Sequence, residues 1–201
     1  MGDFDSAIDN FAQRVEALKS RQQVAFFVIT AKGLLPLIDS THKGEGGEYE
    51  RISRICNTLA SYVANGQAFE VDSLSAELES FAYEGGGVPE SESTYMQDIL
   101  ACLEGAITAA SSHDTPEGAL LEYAINPIYS SLCEKEFGVL DIGDSATELA
   151  WRSQLTENPF MAAALTYIDQ LIHRLEGDNH MGIDELEEWG LRGRVLSRLV
   201  Y

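Results

Sequence analysis

Residues 24–38 read VAFFVITAKGLLPLI, a stretch of fifteen positions with one charge, Lys32. Drawn as a helix, it is apolar on nearly every side and has no face to present to water. Such a helix is stable only where other elements surround it, so the stretch predicts a central helix inside a helical bundle. Its longest apolar run, VAFFVITA, falls far short of the roughly 20 residues that a membrane span needs. Ser20 and Gln23 form a candidate capping box ahead of it. Pro36 is expected to end or kink the helix, because proline donates no backbone hydrogen bond and crowds the preceding turn.

Working outward, helical periodicity recurs almost throughout. Phe4, Ile8, Phe11, Val15 and Leu18 make one apolar stripe on a helix starting near Asp3 or Asp5. Beyond the loop THKGEGGE at 41–48, Tyr49, Ile52, Ile55, Leu59 and Val63 mark a helix stopped by Asn65-Gly66. Val71, Leu74, Leu78 and Phe81 share a face of a shorter helix capped by Asp72 or Ser73. Tyr95, Ile99, Leu103, Ile107 and Ala110 mark the next. Thr115-Pro116-Glu117 signals the start of a helix carrying Leu121, Ile125, Ile128 and Leu132, with Pro127 as a kink. Asp144 or Ser145 opens a helix containing Trp151, and Asn158-Pro159 opens FMAAALTYIDQLIHRLEG, closed by Gly177. A last helical pattern spans Asp184 to Trp189. Period-two alternation bounded by hairpin turns is nowhere sustained. The expected fold is all-α, a single domain over residues 1–201 with about seven or eight helices, ending in a short basic tail at 190–201 that holds Arg192, Arg194 and Arg198.

Composition narrows the functional classes. The 201 residues are 45% hydrophobic with a mean hydropathy of −0.11, which fits a folded chain rather than a disordered one. Against 13 basic side chains stand 33 acidic ones, a net charge of −20 and a pI near 4.3. That charge repels nucleic-acid phosphates and anionic lipid, and favours a basic partner. Cys56, Cys102 and Cys133 are far apart, odd in number and set in apolar sequence, so they read as buried free thiols of a reducing compartment. The acidic beginning MGDFDSAIDNF lacks the basic and apolar regions of an export signal, and a cytoplasmic location is expected.

Two places resemble a known family. ALKSRQQVAFFVITAKGLLPLID (17–39) is similar to the start of the YjaG-like bacterial family of unknown function, whose aromatic-apolar helix ends in a segment matched here by Leu34-Leu35-Pro36. LTENPFMAAALTYIDQLIHRL (155–175) resembles that family's Glu-Asn-Pro helix start, matched by Glu157, Asn158 and Pro159. This chain has Lys32-Gly33 where the family usually has Glu-Arg, and Leu37-Ile38 in place of Asn-Tyr. The resemblance covers roughly residues 10–190; it implies a compact helical domain and carries no activity.

Motifs with chemistry fail on inspection. The glycines of EGGGVPESES (84–93) precede a helix, but a phosphate loop also needs a lysine or arginine, and this loop holds Glu84, Glu90 and Glu92 instead. It reads as a turn between helices. In EGDNHMGIDELEEW, counting an EF-hand from Asp178 puts Gly182 at position five and Ile183 at six, so the register is wrong and a helix-capping turn is the better account. Asp169 and His173 stand one helical turn apart without the second pair a metal centre requires, and an intrahelical link between them explains the spacing. His42, His113, His173 and His180 have no neighbours that mark a triad. No metal and no cofactor is expected, and no catalytic residue is assigned.

Charge distribution is the most informative feature. Residues 55–134 contain no lysine or arginine but thirteen carboxylates, from Glu70 to Glu134. Self-repulsion on this scale exceeds what solubility requires. The expected function is therefore an acidic helical module that docks on, and neutralises, a basic protein such as a toxin or nuclease, in the manner of an immunity protein. Its acidic face is assigned to Glu70, Asp72, Glu77, Glu79, Glu84, Glu90, Glu92 and Asp98, with Phe81, Tyr83 and Tyr95 as aromatic anchors. The alternatives are a metal- or cofactor-dependent enzyme using a carboxylate-lined pocket, and a helical homodimer without catalytic chemistry. Convergence of carboxylates with a histidine in a cleft would favour the enzyme.

Overall fold

The computed structural model describes residues 4–41, 47–84, 90–111, 121–137, 150–177 and 180–198. Those residues form nine α-helices and no strand: α1 (Phe4–Glu16), α2 (Ser20–Leu34), α3 (Pro36–Thr41), α4 (Glu48–Asn65), α5 (Val71–Glu84), α6 (Glu90–Ser111), α7 (Glu122–Phe137), α8 (Pro159–Glu176) and α9 (Ile183–Arg192). Short 3-10 turns occupy Leu155–Glu157 and Gly193–Ser197. No described helix is long and apolar enough to cross a membrane.

The all-round apolar helix is the hub. From Gln23 to Leu34 every side chain of α2 is buried except that of Lys32. α6 packs along it most extensively, and α1, α4, α7, α8, α9 and the 193–197 turn close the remaining sides. Lys32 escapes burial of its charge by sending Nζ to Glu187 Oε1 (2.5 Å) and Asn57 Oδ1 (2.9 Å), while its aliphatic stem lies against Gly190. Next to it, Gly33 lets the chain's C-terminal end approach. A Cβ at Gly33 would sit 2.6 Å from the Gly193 carbonyl oxygen. The Tyr167 hydroxyl donates to the Trp189 carbonyl (2.8 Å) beneath this crossing.

Of the expected basic tail at 190–201, residues 190–198 are described, and this crossing seats them on the bundle. Gly190, Gly193 and Leu196 are buried, and Arg192 stacks 3.9 Å over the Trp189 ring while donating to Gln170. The arginines sit on the outside of a packed segment.

Helix ends follow local chemistry. Asn158 Oδ1 accepts from the amides of Phe160 (3.0 Å) and Met161 (3.4 Å), with Pro159 in the first turn of α8. Gly66 closes α4 with φ +68° and its amide on the Tyr62 carbonyl. Pro36 ends α2 and starts α3. In place of the expected capping box, α2 keeps only its return half one residue earlier: Gln22 Oε1 accepts from the Lys19 amide (2.9 Å), while the Lys19 ammonium has no acceptor to offer. Ser20 instead donates to the Ala109 carbonyl, and buried Gln23 donates to the carbonyls of Val15 and Glu16 (3.2 Å each), closing the end of α1. The expected helix starts at Thr115-Pro116 and at Asp144 or Ser145 lie outside the described residues.

Candidate functional site

α5 and α6 lie side by side within the segment that has no basic residue, and a groove of about 380 Å³ runs between them. Its floor is apolar: Val71 and Leu78 from α5, Leu100 and Ile107 from α6. Ser75, Thr108 and Ser111 add hydroxyls, and Glu79 and Glu104, both exposed, stand one on each helix at the rim. The floor arises because each helix has an apolar stripe wider than its neighbour can cover. On α6, Leu100 sits beside the fully buried Ile99 and Leu103 and is left only partly buried.

The predicted acidic face divides into unlike members. Glu70, Asp72 and Glu79 are exposed. Glu77 is not uncompensated: Arg54 of α4 hydrogen-bonds to its Oε1, and Arg51 Nε lies 3.9 Å away. Arg51 also donates to Ser80 Oγ and places its guanidinium 4.1 Å over the Phe81 ring. Phe81, assigned as an aromatic anchor, is a buried contact at 5% exposure, held under Arg51, and is not open to a partner. Tyr95 is partly buried against the core. The side chains of Tyr83, Glu84, Glu90 and Glu92 lie outside the described residues.

Asp98 is the larger correction. It is 1% exposed and cannot contribute to a surface. Its Oδ1 accepts from Asn126 Nδ2 of α7 (2.8 Å), and Oδ2 has no hydrogen-bond partner among the described residues. Burial pushes the carboxyl up to about 7, against the opposing pull of the Asn126 hydrogen bond. Asp98 falls on the same face of α6 as Cys102, Ala106 and Ala109, all buried, and that spacing is the signal that separates it from the surface acids.

Other candidate features resolve into structural roles. Asp169 pairs with Arg14 of α1 (2.6 Å) and not with His173, whose Nδ1 is 3.7 Å from Glu176. Arg14 also takes Glu176 (2.7 Å), whose carboxyl it holds below the usual range. A smaller cavity of about 220 Å³ is lined by Lys19, Arg21, His180 and the apolar Val63 and Met181. There Arg21 donates to the Val63 carbonyl (2.6 Å) and Gln22 to that of Leu175 (2.6 Å), which satisfies the ends of α4 and α8. Cys56, Cys102 and Cys133 are buried, and none is in a disulfide. Among the described residues no three His, Cys, Asp or Glu side chains are grouped to hold a metal ion. Comparison with known proteins finds no family model, no curated protein and no solved structure that matches this chain.

Proposed function

We propose that this protein is an acidic docking module that binds and neutralises a basic partner protein through the α5–α6 face. One observation carries the reading. The groove couples an apolar floor to two exposed carboxylates, Glu79 and Glu104, that form no ion pair among the described residues, on two helices without a single lysine or arginine. Glu77, two positions before Glu79, is already committed to Arg51 and Arg54. Cationic side chains of a partner would meet the uncommitted pair while its apolar residues displace water from the floor, the combination that gives fast association and a stable complex. Among the described residues no histidine joins carboxylates in either cavity, so the same geometry offers less to the enzyme reading. Kinship with the YjaG-like family, carried by Leu34-Leu35-Pro36 and Glu157-Asn158-Pro159, is part of the same proposal and adds no activity.

Capture on the immobilised full chain tests the reading. A basic protein from the native cell should bind the wild type and the control variant Glu16→Lys/Glu188→Lys, and be lost from Glu79→Lys/Glu104→Lys. Equal retention by both variants would refute the groove as the site.

A further inference from the structure

We infer that the occupant of the α5–α6 groove is a cationic amphipathic helix of about three turns. The inference rests on the docking reading above and adds the shape of the docked segment. The groove runs along α6 from Leu100 to Ser111, about 16 Å at 1.5 Å rise per residue, which is the length of a three-turn helix. Both walls are helices, and outside the first turn of α5 and the last turn of α6 their backbone amides and carbonyls are hydrogen-bonded within their own turns. An extended segment laid between them would find no sheet edge to pair with and would leave its own backbone groups without partners against an apolar floor. A helical segment brings its backbone already satisfied. Residues at i, i+3 or i+4, and i+7 would then enter between Val71 and Leu78 on one side and Leu100 and Ile107 on the other. Lysines or arginines flanking that stripe would reach Glu79 on one rim and Glu104 on the other, so the charges belong on both sides of the apolar stripe.

Three synthetic fourteen-residue peptides test this against the full chain, by fluorescence anisotropy and far-UV circular dichroism at low salt. The first carries leucines at i, i+3, i+4 and i+7 flanked by lysines; the second permutes the same residues into strict alternation; the third replaces the lysines with glutamates. The first should bind at least tenfold more tightly than either other and gain helicity on binding. Glu79→Gln/Glu104→Gln, a substitution of two exposed side chains that leaves the core untouched, should weaken it by at least tenfold. Equal binding of the permuted peptide, lost in the double variant, would overturn the helical occupant and leave the docking module standing. If the first peptide fails to bind, or binds the double variant equally, the helical occupant is overturned. The docking reading is then decided separately by the capture experiment with whole proteins.

Discussion

Replacing Asp98 with asparagine should stabilise this protein at neutral and alkaline pH. The folded environment raises the Asp98 carboxyl from 3.8 to about 7, so between those values the folded chain keeps a proton that the unfolded chain has released. Stability therefore falls as pH rises from about 4 to about 7, by ~1.4 kcal/mol per unit, and levels off above. Three units correspond to at most about 4 kcal/mol withheld from the wild type at pH 8. Asparagine removes the ionisation, keeps an oxygen to accept from Asn126 Nδ2, and puts an amide where Oδ2 already lacks a partner among the described residues. Urea unfolding followed at 222 nm should show the variant close to the wild type at pH 4.5 and more stable by about 2–4 kcal/mol at pH 8. The difference between the two proteins matters here, since it cancels the changing self-repulsion of the other carboxylates. Parallel pH profiles, or a variant less stable at pH 8, would refute the reasoning: Asp98 would then not be desolvated between α6 and α7.

Two further predictions concern what holds the site in place. Gly33→Ala puts a methyl against the Gly193 backbone, which cannot yield as a side-chain tip can, and should cost about 1–3 kcal/mol by thermal or urea unfolding; an unchanged midpoint would mean that the C-terminal segment is not seated on α2. Arg51→Gln removes the ring contact with Phe81 and the link to Ser80 and Glu77. Amide exchange in α5 should accelerate while that in α2 stays protected, and uniform acceleration would contradict the tethering of α5 through α4.

Much of this architecture was legible in the residues. The stretch at 24–38 required a surrounded helix because no polar face was available to it, and Asn158-Pro159 marked a helix start by supplying both an acceptor and a pre-set backbone angle. Register at the start of α2 was less legible, since Gln23 was free to cap its own helix or to close the preceding one, and only the packing of α1 chose. The candidate site was harder still. A count of charges between residues 55 and 134 treated Glu77 as uncompensated because its arginines, Arg51 and Arg54, precede that segment and reach it from α4 to α5. The same count placed Asp98 with the surface acids, although its spacing from Cys102 put it on a buried face. Glu104 and the groove floor depend on how two apolar stripes are offset, which is a property of the pair of helices rather than of either sequence.

The α5–α6 docking claim is tested most directly by the association rate of the captured basic partner, measured by stopped flow across a salt series. For the wild type the rate should fall by about tenfold or more between 50 and 500 mM salt, and Glu79→Lys/Glu104→Lys at 50 mM should associate about as slowly as the wild type does at 500 mM. A rate indifferent both to salt and to the reversed rim charges would contradict the account.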